Sequence, residues 1–568
     1  MDHPISDLHV HCGLKGYASE GYPGFEDFTI WDYYPIKEAE LKKLNFMLRE
    51  AIKDTAKDSQ AHLDHCVESQ LCAPFLAIYP VERQMFALDP QKPFKNIFKL
   101  LLRGKQHAYL GAAVAGFPLE RVQKIQARVK GTRDEGVDYY REFRKERDYL
   151  LRQTATSSKK YPDLKFRIAS NYEEFTRYLA DKKTICGLFT VEGTHSFGHY
   201  LFNSTFKKEF EDLDPTEREV LETSFIRNIT EVKTENHSRE TPFFVTFCHH
   251  YNNLLAGHAR SFSDKSSFLP GINKPGMRHL FNQEPGRNRG FTSLGLQVLD
   301  LLLDRTKGRR ILIDTKHMSV ATRKTFYQII KQKRTQENDH IPIIHSHAAV
   351  SGWLSLDEAA QYEETTKLDK KQFFSRWQIN LTNEDILEIF DSDGIIGMVL
   401  HEGRIPGGGF KKAVAKLKKK LRKTVVGSIR HMQLDRELKD MYLKLVWSNI
   451  FHIIKVVQEE RYTTGTPANA WKMIALGSDY DGLVDPMDTF PGVNDFMDLK
   501  QELIDYLKAG KEVFFSDNGI ARPLRSEEIK ALLFGRSPEE ITADIFYRNT
   551  DRFLYRFFTD AYLSVRPQ

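Results

Sequence analysis

The sequence predicts an elaborated (β/α)8 TIM barrel, an α/β fold carrying long loop insertions and C-terminal helices. Three observations carry that prediction: eight short apolar runs along the chain, amphipathic or charged segments between them, and chemically unusual residues at the C-terminal ends of the runs. Alternating strands and helices build a parallel sheet whose faces the helices cover. When such a sheet closes, the loops after its strands open on one face and residues distant in sequence meet there.

The runs are Ile5 to His11, Leu71 to Ile78, Ile185 to Glu192, Phe243 to His249, Ile311 to His317, Ile341 to His347, Ile395 to Leu400 and Met473 to Asp479. Helical patterns fall at Glu38 to Lys57, Leu294 to Thr306, Ala321 to Lys331, Asn383 to Phe390 and Met432 to Glu459. The 568 residues exceed the roughly 250 of a plain barrel. A single barrel domain over 1–568 is therefore expected to carry additions: 80–184, read as an insertion with the helical-looking Gly136 to Gln153, 256–290 on the active-site face, the basic and helical 403–470, and C-terminal helices in 526–568.

Composition narrows the function classes. With 83 basic and 77 acidic side chains the net charge is only +6, which gives no strong nucleic-acid signal. Cys12, Cys66, Cys72, Cys186 and Cys248 are too sparse for a disulfide-built scaffold and show no paired metal-ligand spacing. No apolar run reaches transmembrane length. A cytoplasmic location is expected, a removed leader remaining compatible with it; a homodimer is left open. The run Lys411, Lys412, Lys416, Lys418, Lys419, Lys420, Arg422 and Lys423, with Val414, Leu417 and Leu421 at helical spacing, reads as a solvated helix with an apolar core face. Contact with an anionic membrane or nucleic acid is its alternative reading.

In Asp7-Leu8-His9-Val10-His11, a strand projects His9 and His11 to one side, and two neutral imidazoles suit zinc. Asp7 reads as a strand anchor. Glu192 ends the third run and has two oxygens with which to bridge two cations, while Gly193 lets the backbone turn at once. His195 and His199 read as polar-loop or substrate-binding residues. His317 and His347 recur at separate strand ends and complete a second cation's shell; His345 is a rival to His347 because alternate strand residues face the same way. Lys316 reads as a solvated cation and Asp314 as a strand-stabilising acid. In Gly477-Ser478-Asp479-Tyr480-Asp481-Gly482, Asp479 is placed to orient and deprotonate a metal-activated water, and Asp481 to shape the loop.

From His9 almost to the C-terminal helices, these segments resemble the membrane dipeptidase family, peptidase family M19, within the amidohydrolase superfamily. The matching pieces are His9 and His11, Glu192-Gly193, Lys316-His317-Met318-Ser319, Ser346-His347, and Gly477 to Gly482. The resemblance implies a binuclear metal-dependent hydrolase with two zinc ions bridged by Glu192 and by water or hydroxide. It places His9, His11 and Glu192 on one ion and Glu192, His317 and His347 on the other, with Asp479 as catalytic acid/base. Phe247-Cys248-His249-His250-Tyr251-Asn252 resembles the family's substrate-binding segment, with His249 in register.

Two departures bear on specificity. The family's His-x-Asp is His9-x-His11 here, and its Arg-Asn becomes Ile379-Asn380, with Arg376 three positions earlier as the substitute substrate-binding cation. Hydrolysis of a small amide, dipeptide-like, is the expected activity. Hydrolysis of a cyclic amide, lactone or phosphoester, or an inactive metal-binding scaffold, are the alternatives.

Overall fold

Each of the eight apolar runs forms a strand: β1 (Ile5–Val10), β2 (Leu71–Ile78), β3 (Thr184–Glu192), β4 (Phe244–Thr246), β5 (Leu312–Asp314), β6 (Ile344–Ala348), β7 (Ile395–Met398) and β8 (Ile474–Leu476). The computed structural model describes residues 3–35, 42–44, 59–86, 106–130, 134–262, 282–362, 372–461, 467–482, 484–517 and 519–565. The strands pair in parallel in chain order from β1 to β8. The ring closes where Val10 bridges Tyr480 in parallel and the Asp479 and His11 amides donate to the His9 and Tyr480 carbonyls, each at 2.9 Å. Every residue of β1, β2 and β3 is buried. Strands covered on both faces need near-continuous apolar runs rather than alternation, which is the pattern the sequence carries.

Several strands end earlier than their runs. β4, β5 and β8 stop three residues before His249, His317 and Asp479. His317 and Asp479 adopt φ of 66° and 62°, a left-handed conformation that no ladder residue holds.

On the outside lie α1 (Ser293–Leu303), α2 (Val320–Gln336) and α3 (Asn383–Asp391). Each begins at a hydroxyl residue, Thr292, Ser319 or Thr382, whose side chain accepts a hydrogen bond from an otherwise unpartnered backbone amide of the first turn. The helix expected at Glu38 to Lys57 falls mostly outside the described residues. In the 403–470 region stand α4 (Gly408–Leu421) and α5 (Ile429–Arg461).

Within the long 80–184 connection, Gln106–Ala115 and Leu119–Lys130 are helical and build a small second core with Leu14, Ala18 and Tyr79 of the barrel loops. The expected helical stretch appears at Tyr139–Gln153, and Lys165–Ile168 adds a short strand parallel to β3. The C-terminal helices pack under the opposite end of the barrel, where Asn549 Nδ2 donates to the carbonyls of Trp471 and Ile474 at 2.7 and 2.6 Å. An antiparallel hairpin, Phe514–Asp517 with Ile520–Pro523, has no mark in the apolar pattern.

Two fully buried charges tie α2 to α3. Arg323 donates to Asp385 Oδ2 at 2.6 Å and to the Gln378 carbonyl at 2.6 Å, and Tyr327 donates to Asp385 Oδ1 at 2.7 Å. Removing one partner leaves the other charge buried and uncompensated. Asp385→Ala is expected to destabilise the fold by about 3–5 kcal/mol, read by urea denaturation; a loss below about 1 kcal/mol, the range of exposed pairs, would contradict that role.

Candidate metal centre

The strand ends converge. β1 projects His9 and His11 to the barrel axis, with Nε2 atoms 3.2 Å apart. Glu192, the last residue of β3, meets both: Oε1 lies 3.3 Å from His9 Nε2 and Oε2 lies 3.2 Å from His11 Nε2. From β5 and β6, His317 and His347 bring their Nε2 atoms to 3.3 Å. Asp479 closes the ring of groups, with Oδ1 at 3.5 Å from His11 Nε2 and Oδ2 at 3.8 Å from His347 Nε2. Overlapping clusters result: two contain Glu192, one with His9, His11 and Asp479 and one with His317 and His347, while His9, Asp314 and His347 form another and His317 joins a further one with His249 and His250, each with ligand atoms within 4.8 Å of one another.

The donor set fits metal ions better than it satisfies itself. Glu192 Oε2 and Asp479 Oδ1 are buried and form no well-aligned hydrogen bond, their nearest polar neighbour being the one shared nitrogen His11 Nε2 at 3.2 and 3.5 Å; buried carboxylate oxygens so placed are costly unless a cation or donor compensates them. Imidazole nitrogens facing one another at these distances are poor partners without a cation between them. Burial, reinforced by surrounding cationic groups, holds the His317 and His347 imidazoles well below the ordinary range, so they are neutral and have a lone pair to give.

A hydroxyl and carboxylate scaffold orients these rings. Asp314 accepts from the Ser346 hydroxyl at 2.6 Å, and Ser346 Oγ lies 2.9 Å from His347 Nδ1 and 3.3 Å from His9 Nδ1. Ser261 Oγ sits 3.1 Å from His317 Nδ1. With Nδ1 engaged, Nε2 is the free nitrogen on each ring. Asp7 accepts from the His9 amide at 3.1 Å and the Ser478 amide at 2.9 Å, fastening β1 to the β8 loop. Its own carboxyl is pushed up to about 6 by burial, against those hydrogen bonds.

Backbone geometry serves the same convergence. Gly193 has φ 94°, and a Cβ there would meet His195 Nδ1 at 2.2 Å. At Gly482 a Cβ would lie 2.0 Å from Asp479 Oδ1 and 2.8 Å from the His11 ring. A side chain at either position displaces the site.

Other sequence-marked residues have defined places. His345 points its Nδ1 at Thr315 Oγ1, 3.0 Å away, and is in none of the clusters. His195 donates Nε2–H to the Pro80 carbonyl at 2.9 Å. His249 lies at the centre, with Nε2 3.2 Å from Glu192 Oε1. Arg376 stacks over the Trp353 ring at 4.3 Å, its guanidinium against Gly519. Lys316 departs from its expected solvated state: it is 2% exposed, and burial, with Arg404 nearby, pushes its ammonium down to about 7.

Sequence reasoning missed three groups. Glu82, buried in the loop after β2, lies 2.6 Å from His249 Nδ1 and accepts from the Tyr251 amide at 3.1 Å. Burial lowers the basicity of His249, but the Glu192 and Glu82 carboxylates outweigh it and bring the imidazole up to about 10. His250 stacks on His249 with centroids 3.7 Å apart and belongs to a cluster with His249 and His317. Arg404 bears electrostatically on His250, Lys316 and His401. Of the three, only His250 lies within a segment the sequence marks, where His249 was the residue singled out.

The chain matches no protein-family model and no curated protein. Among solved structures it is similar to the dipeptidase AC, a metallopeptidase of family M19, at 11% identity and TM-score 0.45, with 98% of each chain covered. It is also similar to a metallopeptidase from Rhodobacter sphaeroides liganded with a phosphinate mimic of the dipeptide L-Ala-D-Ala, at 11% identity and TM-score 0.44 over 98% of this chain and 99% of that one. The probable dipeptidase PvdM from Pseudomonas aeruginosa stands at 14% identity and TM-score 0.44, covering 87% and 88%. Likenesses of this degree carry no residue's role across, and the site is read from its own geometry.

Proposed function

We propose that this chain is a binuclear metal-dependent hydrolase of small amides, dipeptidase-like, with two zinc ions in the barrel mouth. The observation that supports it is the convergence of His9, His11, Glu192, His317, His347 and Asp479 from five strand ends onto one buried point, with carboxylate oxygens left without a well-aligned hydrogen bond. His9, His11 and Glu192 would hold one ion, and Glu192, His317 and His347 the other. Metal ions so held polarise a carbonyl and make water nucleophilic near neutral pH.

The chain's own residues supply the rest. Asp479, raised above the ordinary carboxylate range by burial and by the Glu192 charge, with His11 opposing, takes a proton from the attacking water and returns it to the leaving amine. His249 presents Nε2 toward the centre and holds the polar part of the scissile amide. Glu82 fixes the His249 ring from behind through Nδ1. A substrate carboxylate is met by Arg404, which acts on Lys316 and His250; Arg376, the cation the sequence suggests, is engaged by Trp353 and lies against Gly519.

The test is turnover of a panel of dipeptides, N-acyl amino acids, lactones and phosphoesters by the purified protein. Amide cleavage lost on chelation and restored by zinc supports the reading; full metal loading with no turnover of any panel member sinks it in favour of a scaffold. Within that assay, Glu82→Gln is expected to lower kcat by roughly 10- to 100-fold with metal content unchanged, the scale of outer partners of functional histidines. In a His249→Ala background the same change should have little further effect. Additive losses in the double variant would place Glu82 elsewhere in the chemistry.

A further inference from the structure

The cationic run that stands out in the sequence takes no part in the metal centre. Its helix, α4, buries Val414 and Leu417 and leaves Lys412, Lys416, Lys419 and Lys420 exposed, as are Arg422 and Lys423 at and just past its end. Lys412, Lys416 and Lys419 fall at steps of four and three within α4, which places them along one stripe, and Lys423 follows just past the helix end. No acidic residue occurs between Glu402 and Asp435, so this face has no internal counter-charge from its own segment.

The turn from α4 into α5 adds an apolar feature. Val425 is 77% exposed, Val426 82%, Ile429 73% and Met432 56%. Single exposed aliphatics are ordinary on a protein surface. Four across the connection and the first turn of α5, three of them nearly as exposed as in an extended chain, form an apolar tip. The hairpin behind the tip is braced: Lys418 pairs with Glu402 at 2.6 Å, Tyr442 of α5 donates to Glu402 Oε2 at 2.7 Å, and Lys411 donates to the Gly403 carbonyl at 2.7 Å. The tip is held out on a helix about 20 Å long.

We propose that this tip docks the protein on an anionic lipid bilayer, with Val425, Val426, Ile429 and Met432 entering the headgroup and acyl boundary and the lysine stripe lying against the phosphates. An amphipathic element with aliphatic and lysine faces binds such a surface through both apolar burial and charge. A nucleic acid satisfies the lysines but offers the aliphatic tip nowhere to go. A second copy of the chain brings the same positive face and is repelled. Among the described residues no helix is long and apolar enough to cross a membrane, so the attachment is peripheral.

The test is co-sedimentation of the full-length protein with phosphatidylcholine vesicles, plain or carrying about 30% phosphatidylserine, an anionic lipid of the cytoplasmic leaflet. Binding is expected only to the anionic vesicles and weakens as salt rises. Val425→Asp with Val426→Asp should weaken it at least about tenfold by removing apolar insertion. Lys419→Gln, Lys420→Gln and Lys423→Gln together should weaken it roughly 100-fold, near fivefold per charge. Both variants alter exposed residues only, and their circular dichroism should match the parent. Equal binding to neutral vesicles, or none to either, overturns the proposal. DNA binding that survives the valine changes would assign the face to nucleic acid, and a dimer dispersed by them would assign it to a second copy; each also overturns it.

Discussion

An Asp479→Asn protein is expected to keep its fold and its metal ions and to lose roughly 100-fold or more of its hydrolytic rate, the usual scale of general acid/base assistance. Asn preserves the size of the side chain and one oxygen, but it accepts no proton near neutral pH. The geometry gives that proton a specific place: Oδ1 of Asp479 is buried without a well-aligned hydrogen bond and lies 3.8 Å from His9 Nε2 and 3.5 Å from His11 Nε2. Burial raises the carboxyl from its ordinary value, closer to the range in which it both takes and returns a proton. The backbone holds the residue at φ 62°, a conformation that costs on the order of 1–3 kcal/mol and persists where function fixes it. Pre-steady-state comparison of parent and D479N at equal metal loading checks the assignment. A slower bond-cleavage phase supports it, whereas unchanged cleavage with slower product release moves the effect beyond chemistry.

Glu192→Gln should be more damaging, because it removes the group shared by both halves of the centre. One carboxylate oxygen faces His9 and His249 and the other faces His11. Against burial, which favours the neutral acid, the neighbouring rings of His249, His9 and His11 hold this carboxyl well below its ordinary value. It is the anion around which the site is organised. Gln keeps one acceptor and turns the other toward the centre as an NH2 donor, which repels a cation. Turnover should fall roughly 1,000-fold, corresponding to the several kcal/mol that a bound cation supplies, and elemental analysis should show less than the parent's metal. E192Q with parent metal content and parent turnover would remove Glu192 from the centre.

The barrel was legible because its strands are buried on both faces. Leu71 to Ile78 is apolar along its whole length and becomes β2 without a residue's change in bounds. Boundaries slipped at the mouth of the barrel: the run through Ile311 to His317 yields a strand of only Leu312–Asp314, and His317 beyond it takes left-handed backbone. The histidines and acids at strand ends could be read because the fold rule brings such ends together. Glu82 could not, since it sits in a loop with no periodicity and its partner His249 is 167 residues away. Lys316 misled for a related reason. Lysine is almost always solvated, and only the tertiary packing around Lys316, invisible in local pattern, buries it. The role of Ser346 was hidden as well: its hydroxyl matters only once Asp314 and the rings of His9 and His347 surround it.

In the proposed centre two metal ions share Glu192 at the mouth of the barrel. Diffraction from the zinc-loaded protein at wavelengths either side of the zinc edge, with elemental analysis of the same preparation, tests it most directly. Two anomalous peaks are expected, one among His9, His11 and Glu192 and one among Glu192, His317 and His347, with a carboxylate oxygen of Glu192 on each. A single peak, or two peaks that Glu192 does not join, would contradict it.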